Sequence, residues 1–457
     1  MKPVPAALAA ISLLASASSS GAMNAPAPVC TTCVKANLEH LAGDALHGRK
    51  CGSEDEHAAA SYLVSQLKRS GIRGAFERGG YLQPVQLLRR RFAVPPTVEL
   101  SSGGRTVKLA EGDDMVVSDM PATLEAPLTR LAAGGPLADV PGKVVIYDFA
   151  PGAAPPAAVL RAGAAAVIVR AGGVALRRWD ELLQRAPGGT EVVAGPPHEA
   201  PTGGATIVLK PEVFASLADI GDGAAKLTAA QGEPEARTTY NVIGVIHGRE
   251  RDADRHAILL SAHYDHLGVR NGVIFHGADD DASGTAAVLE FARILGSGPR
   301  PRRTVYFGLF GCEEEGELGS EYFQSHPPEP TSDFAANLEF EMIAVDDPKN
   351  PGALMLTGWE RSNLGPALKA HGALIEPDPY PQQRFFQRSD NYQLALSGVV
   401  AQAVTAWPLT PTYHSPTDDL AHVDLAFMDR VIASFVPPIQ WLVNSDFQPQ
   451  WNPGGRP

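Results

Sequence analysis

Residues 261–268 read SAHYDHLG, and three further polar stretches follow closely: GADDDASG at 277–284, FGCEEEGELG at 310–319 and FEMIA at 340–344. Together with a later histidine they supply a set of imidazole and carboxylate side chains, namely His263, Asp265, Asp280, Glu313, Glu314, Glu341 and His414. Such ligands, beside a spare carboxylate, match a two-metal hydrolytic site, because metal ions polarise a carbonyl and activate a water while the spare carboxylate moves protons. We therefore expect a metal-dependent hydrolase.

A strand pattern leads into three of these four polar stretches. AILLSA (257–262), RTVYFGLF (303–310) and NLEFE (337–341) are apolar runs, each ending where a candidate ligand begins. Helical patterns lie between them, at 283–295 and 318–326. This alternation predicts a three-layer α/β/α domain with a mostly parallel mixed sheet, whose strand ends carry the functional loops.

An acidic loop taken alone has a commoner explanation than metal binding. GADDDASG could cap a helix and GCEEEGELG could form a solvated turn. It is the ordered combination at successive strand ends that favours the metal site.

The composition excludes several classes of protein. A chain of 457 residues predicts two domains, one of them interrupted by the other. A hydrophobic content of 44% with 19% charged residues is typical of a globular protein. The net charge of −13 argues against a nucleic-acid partner, since phosphates require a basic surface.

The N-terminus has the pattern of a secretory signal peptide at residues 1–22. Lys2 precedes an apolar run at 4–17, and small residues follow as far as Ala22. The alternative, a membrane anchor, requires about twenty apolar residues, and no later stretch is long and apolar enough to span a bilayer. We expect an exported protein, either periplasmic or secreted.

Four cysteines in an exported protein suggest disulfide bonds. We expect Cys51 to pair with Cys30 or Cys33, although the sequence does not fix the connectivity. A zinc site at Cys30 and Cys33 is the weaker alternative, because no second pair supplies the missing ligands. Cys312 is expected to be a small buried residue rather than a nucleophile, since no partner base lies nearby.

The predicted secondary structure of residues 93–237 differs from that of the rest of the chain. Short strands are predicted at 142–149, 164–171 and 206–210, with a helix of small residues at 157–162. This order resembles a protease-associated domain, which implies a non-catalytic insertion that covers the active site or restricts substrate size.

The motifs HYD, DDASG, CEEEGELGS, EMI and YHSPTDD, in this order, resemble the exported two-zinc aminopeptidases of metallopeptidase family twenty-eight, relatives of glutamate carboxypeptidase and the transferrin receptor. The resemblance implies a catalytic domain at 238–445, an N-terminal part of that domain at 30–92 and a tail at 446–457. It also implies two Zn²⁺ ions and peptide substrates.

The same resemblance assigns roles to the candidate residues. One zinc would be held by His263, Asp280 and Glu341, and the other by Asp280, Glu314 and His414. Glu313 would be the general base and acid, Asp265 would orient His263, and Tyr413 would donate a hydrogen bond to the oxyanion. Apart from these assignments, His266 and His276 are expected to flank the site, where they could contact substrate.

The sequence also departs from the family pattern. Most relatives carry Asp at the position of Glu341, whose extra methylene could change the geometry of the first metal. The family's Ser-Asp-His signature appears here as Ser389-Asp390-Asn391, so Asp390 is expected to be structural or to support a ligand.

The leading hypothesis is a zinc-dependent aminopeptidase that hydrolyses N-terminal peptide bonds. A glutamate-carboxypeptidase-type enzyme is the nearest alternative, and it requires an arginine patch for which Arg384 and Arg388 are the nearby candidates. A glutaminyl cyclase is less favoured because of the insertion. A non-catalytic receptor-like protein would have lost metal ligands, whereas all the expected ligand positions retain coordinating side chains.

Overall fold

The computed structural model describes residues 28–457 apart from residues 90, 119–122, 151–152, 173–175, 177–178, 180–181, 183–189, 193–203 and 408–411. The predicted signal peptide at 1–22 lies outside the described residues. None of the described helices is both long and apolar enough to cross a membrane.

Ten strands form the larger of two main sheets. They are β1 (Arg73–Gly74), β2 (Leu82–Arg89), β9 (Thr190–Val192), β12 (Glu235–Ile246), β13 (Ala257–His263), β16 (Val305–Phe310), β17 (Phe334–Glu341), β18 (Leu354–Leu356), β19 (Ile375–Pro377) and β20 (Val400–Thr405). The spatial order is β19-β18-β20-β17-β13-β16-β12-β2-β9, with β1 paired to β12. The central strands β20, β17, β13 and β16 are parallel, and antiparallel strands flank them on both sides.

Helices cover both faces of this sheet. On one face lie α1 (Thr31–Leu41), α2 (Glu54–Arg69), α5 (Gly284–Ser297), α7 (Leu364–Ala370) and α9 (Leu425–Asn444), and on the other lie α6 (Leu318–Ser325) and α8 (Asn391–Ser397). Side chains of β13 alternate between the two cores: Ile258 and Leu260 pack in the first, and Ala257 and Leu259 in the second. Every residue of β13 is buried, as expected for a strand covered on both faces. The predicted three-layer α/β/α fold with a mixed sheet is confirmed.

Eight strands form the second sheet. They are β3 (Phe92–Ser102), β4 (Arg105–Ala110), β5 (Met115–Ser118), β6 (Leu124–Ala132), β7 (Val144–Asp148), β8 (Ala166–Arg170), β10 (Ala205–Leu209) and β11 (Gly223–Gln231), accompanied by the short helices α3 (Pro156–Arg161) and α4 (Pro211–Ala215). Their spatial order is β4-β3-β11-β6-β7-β8-β10-β5. The strands predicted at 142–149, 164–171 and 206–210 correspond to β7, β8 and β10.

This second sheet has its own apolar core and falls within the stretch predicted as an insertion. The exception within that stretch is β9, which pairs with β2 in the larger sheet. The hairpin of β14 (Gly268–Arg270) and β15 (Val273–Phe275) stands apart from both sheets.

The disulfide bonds differ from the expected pairing. Cys30 pairs with Cys33, and Cys51 pairs with Cys312. Cys30 and Cys33 bond to each other across the first turn of helix α1, which leaves neither of them available to Cys51. The neighbouring Lys50 instead forms a parallel bridge with His266, which brings Cys51 to the loop after β16. Cys312 is buried, as expected, but it is joined to Cys51, whereas the expected partner of Cys51 was Cys30 or Cys33.

Candidate metal centre

The predicted site residues meet at the carboxyl ends of the parallel strands. His263 is the last residue of β13, Glu341 is the last residue of β17, and Glu313 and Glu314 follow β16. Asp280 lies in the loop before α5. Because parallel strands end at the same edge of a sheet, these side chains are gathered into one cluster, and all of them except Glu313 are buried.

Asp280 lies between two histidines at the centre of the cluster. Its Oδ1 is 3.2 Å from His263 Nε2, and its Oδ2 is 3.0 Å from His414 Nε2. Glu341 Oε2 is 3.4 Å from the same nitrogen of His263, and Glu314 Oε1 is 3.0 Å from that of His414. One carboxylate thus faces two separate pairs, each made of a histidine and a glutamate.

Neighbouring carboxylates aim Asp280 by holding the backbone around it. Asp418 accepts hydrogen bonds from the backbone N–H groups of Asp279 at 2.8 Å and Asp280 at 3.1 Å. Asp279 in turn accepts one from the N–H of Ala344 at 2.8 Å. Asp418 belongs to the YHSPTDD motif, so this motif supplies both His414 and a support for Asp280.

Asp281 also lies close to His263 and Glu341, and the three could by distance hold a metal ion. Its carboxylate is however engaged with the backbone N–H groups of His263 (3.3 Å), Gly284 (2.9 Å) and Met342 (3.0 Å). We conclude that Asp281 fixes the ends of β13 and β17, and that Asp280 is the carboxylate left to face the cluster.

Gly284 permits this close packing at the start of α5. A Cβ at this position would lie 1.9 Å from the carbonyl oxygen of Phe340 and 2.6 Å from Oδ1 of Asp281. No other residue fits without displacing the backbone, which explains the glycine that ends the GADDDASG stretch.

The cluster fits zinc by the chemistry of its donor atoms. His263 Nε2 and Asp280 Oδ2 are buried and make no well-formed hydrogen bond within the described part of the chain. Buried polar atoms in such a position normally have a partner, and these two point into the same cluster of carboxylates. Imidazole nitrogens with carboxylate oxygens are ligands that zinc prefers.

Glu313 stands back from this ligand cluster. Its Oε2 is 4.0 Å from His263 Nε2, and its side chain is 15% exposed, compared with 4% for Glu314. Of the two adjacent glutamates, Glu314 thus lies among the ligands while Glu313 faces the open side of the site.

Asp265 supports both glutamates and the first histidine. Its Oδ1 accepts a hydrogen bond from the backbone N–H of Glu313 at 2.9 Å, and its Oδ2 accepts one from that of Glu314 at 3.3 Å. Oδ1 also lies 3.5 Å from His263 Nδ1. The sequence predicted the contact with His263, but it did not predict the hydrogen bonds from the backbone N–H groups of Glu313 and Glu314 to Asp265.

The electrostatic environment separates the carboxylates. Burial raises the pKa of Asp280 and of Glu314, but nearby imidazoles outweigh it, so both pKa values lie below the ordinary range. For Asp280 these are the imidazoles of His263, His414 and His266, and for Glu314 those of His414 and His266. Burial raises the pKa of Glu313 well above that of an ordinary glutamate, and Glu314 adds to this effect. The two adjacent glutamates therefore differ in their readiness to carry a proton.

Tyr413 packs against the second histidine. Its ring stacks on His414, with centroids 3.9 Å apart, and lies 4.8 Å from the ring of Trp407. This is the aromatic packing that a tyrosine in such a place would show in any case, and the oxyanion role remains a prediction.

The motif Ser389-Asp390-Asn391 lies directly behind Glu341. The hydroxyl oxygen of Ser389 lies 2.9 Å from both Glu341 Oε2 and Glu339 Oε1, and its single proton can be donated to one of them at a time. Asp390 accepts a hydrogen bond from Ser320 at 2.5 Å, and the Asn391 side chain donates to backbone carbonyls. Glu341 is thus held in place from the side opposite to the cluster.

Sequence reasoning placed His266 at the margin, and the structure places it inside. Its Nδ1 is 2.8 Å from Glu314 Oε1, and its ring meets that of His414 edge-on at 5.7 Å. By distance alone His266 could hold an ion with Asp280 and Glu314. The sequence Tyr264-Asp265-His266 could have indicated this position, because His266 directly follows Asp265, which supports the site. His276 lies further out and contacts Asp44 at 2.8 Å.

Arg49 was missed altogether by sequence reasoning. It is fully buried and donates to the backbone carbonyls of Leu41, Tyr264, His276 and Gly277. These contacts tie the N-terminal segment to the loops on either side of His266. No motif marks this residue, because its partners are carbonyls from distant segments.

The chain is similar in sequence to known peptidases. Residues 241–436 match the family described as Peptidase family M28. Over 421 residues the chain is 26% identical to the probable lipoprotein aminopeptidase LpqL of Mycobacterium tuberculosis, covering 82% of this chain and 77% of that protein.

Two solved structures have a similar fold. An aminopeptidase from Aneurinibacillus sp. strain AM-1 gives a TM-score of 0.62 at 18% identity, covering 92% of this chain and 95% of that one. BSAP, a zinc aminopeptidase from Bacillus subtilis, gives 0.54 at 19% identity, covering 92% and 97%. At 18% and 19% sequence identity, these similarities show a shared fold and nothing further.

Proposed function

The chain belongs to peptidase family M28 through residues 241–436, and from this premise we propose that the protein is a zinc-dependent aminopeptidase that removes N-terminal residues from peptides. The observation that carries the proposal is the position of Asp280 between two histidine–glutamate pairs. The names of the relative LpqL and of BSAP support the same activity and the same metal.

The proposed ligands follow from the distances in the cluster. We assign His263 and Glu341 to one zinc ion, Glu314 and His414 to the other, and Asp280 to both. Zinc ions in such a site supply Lewis-acid polarisation of the scissile carbonyl and acidify the attacking water. The residues of the chain supply the proton transfers and the orientation of the substrate.

Glu313 is proposed to move the proton. It is set back from the ligand cluster and faces the more open side, where a water and a substrate carbonyl can reach it. Its carboxylate accepts a proton from the water as the water oxygen bonds to the scissile carbonyl carbon. It then returns this proton to the departing amine nitrogen as the C–N bond breaks, which regenerates the carboxylate. Asp265 keeps Glu313 in place through the backbone N–H group.

Two further roles complete the proposal. The hydroxyl of Tyr413 would donate a hydrogen bond to the oxyanion that forms on the substrate carbonyl. A carboxylate of the metal site would bind the substrate ammonium group, which is the feature that restricts cleavage to N-terminal residues.

We propose the same domain division as the sequence suggested. Residues 30–92 and 238–445 would form the catalytic domain, and 93–237 would be a protease-associated insertion that limits the size of substrates. The separate sheet and core of β3 to β11 support this division.

The disulfide bonds are typical of proteins from oxidising compartments. On this basis, and on the signal-peptide pattern of residues 1–22, we propose export to the periplasm or the medium.

The test compares Leu-Gly-Gly with its N-acetyl form, using protein that contains zinc, protein treated with a chelator, and the latter after zinc is restored. We expect cleavage of the free-amine peptide alone, loss with the chelator, and recovery with zinc. Cleavage of the acetylated peptide in preference would refute the aminopeptidase assignment, and activity unaffected by metal removal would refute the zinc mechanism.

A further inference from the structure

Arg388 carries a positive charge beside the metal centre that the proposed mechanism does not use. Its guanidinium lies 4.2 Å from the ring centroid of Trp407 and 5.3 Å from that of Phe385. The side chain is half-buried. Within the described ranges it forms no ion pair or hydrogen bond with an acidic side chain.

Its neighbours belong to the site. The hydroxyl oxygen of the next residue, Ser389, lies 2.9 Å from Oε2 of the proposed ligand Glu341. Trp407, beneath the guanidinium, lies 4.8 Å from Tyr413, which in turn stacks on His414. Arg388 is therefore held on the aromatic wall that runs from the metal cluster.

Stacking on aromatic rings holds a guanidinium in place by its flat face. The N–H groups at the edge of the guanidinium plane stay available to donate hydrogen bonds. Such an edge fits a carboxylate, because two parallel N–H donors match its two oxygens. The nearby Arg384, by contrast, is exposed. A free cation would also repel the ammonium group of a substrate unless the substrate presented a negative group to it.

From this geometry we propose that Arg388 is a specificity-determining residue that binds a carboxylate of the peptide substrate. The inference rests on the proposed aminopeptidase function and deepens it. The carboxylate has two possible sources, the C-terminus of a dipeptide or an acidic side chain at the N-terminal residue. Either would be recognised by the same charge-assisted hydrogen bonds.

The test measures kcat/KM of the full zinc-loaded protein on two pairs of substrates. Leu-Gly against Leu-Gly amide reports on the C-terminal carboxylate, and Glu-Gly amide against Gln-Gly amide reports on the side chain. In at least one pair we expect the wild type to have the higher kcat/KM on the substrate that carries the carboxylate. Arg388→Gln, which keeps part of the stem over the rings, should reduce that preference by roughly tenfold to a hundredfold.

Two further variants sharpen the comparison. Arg388→Lys keeps the charge without the planar fork and should retain an intermediate preference, while the exposed control Arg384→Gln should leave the ratio unchanged. Each ratio is taken on one preparation, so it does not depend on the folded fraction. Turnover with the same ratios in wild type and Arg388→Gln overturns this inference alone. An absence of turnover in the wild type on all four peptides would overturn the proposed function, and this inference with it.

Discussion

Glu313→Gln should separate catalysis from metal binding. The carboxylate of Glu313 lies 4.0 Å from His263 Nε2, whereas Glu314 reaches within 3.0 Å of His414 Nε2. Glutamine keeps the size of the side chain and the backbone N–H that bonds to Asp265, but it cannot accept the proton of the attacking water. The change therefore removes proton transfer and leaves the proposed ligands in place.

The expected loss follows from the single function removed. General acid–base catalysis contributes about 10²–10⁴ in rate, so kcat should fall by a factor of this order, equivalent to roughly 3–5 kcal/mol of transition-state free energy. The zinc content should stay at the wild-type value. Glu314→Gln should instead lower the zinc content, because it replaces a proposed ligand oxygen.

The assay combines kcat on Leu-Gly-Gly with zinc analysis of the same desalted protein. Glu315→Gln is the matched control, since Glu315 is the next residue in the chain and lies 3.9 Å from Arg237 rather than in the cluster. The reasoning is refuted if Glu313→Gln loses zinc together with activity, or if it retains most of its kcat.

Three further changes test the surroundings of the site. The double variant Cys51→Ser/Cys312→Ser should lower the free energy of unfolding by about 3–5 kcal/mol in denaturant titrations, because this bridge closes a long loop; an unchanged midpoint would show that it does not constrain the chain. Arg49→Met should cost about 3–5 kcal/mol in the same assay, since it leaves several buried carbonyls without a donor, and a cost below about 1 kcal/mol would contradict that role. Burial raises the pKa of Glu317 to about 7. Between the ordinary glutamate pKa and pH 7, the folded protein therefore keeps a proton that the unfolded chain releases. The stability that Glu317 contributes is complete below the ordinary glutamate pKa and is lost as the pH rises through 7. Glu317→Gln should reduce the fall in stability between about pH 5 and 7, and an identical slope in both proteins would contradict the assignment.

The sequence was sufficient to predict the fold and to name most of the side chains that the structure gathers in the cluster, because both follow from patterns local in the chain. His263 and Glu341 each end an apolar run, and such runs become the parallel strands β13 and β17. Asp280 precedes a helix that begins at Gly284, where the close approach of Phe340 requires a glycine. Geometry then followed from the rule that parallel strands share one functional edge.

What the sequence did not predict depends on contacts between distant segments. The bond between Cys51 and Cys312 joins residues 261 positions apart, and only the path of residues 49–52 beside His266 brings them together. Arg49 donates to backbone carbonyls, which every residue possesses, so the residue types in the sequence do not indicate which residues are its partners. His266 was placed outside the ligands because a side chain's direction in a loop does not follow from strand alternation.

Anomalous diffraction at the zinc edge from crystals of the zinc-loaded protein tests the central claim most directly. Two peaks are predicted, one contacted by His263 and Glu341 and the other by Glu314 and His414, with Asp280 contacting both. A single peak without Asp280 between the pairs, or zinc bound away from this cluster, would contradict the assignment of a two-metal centre.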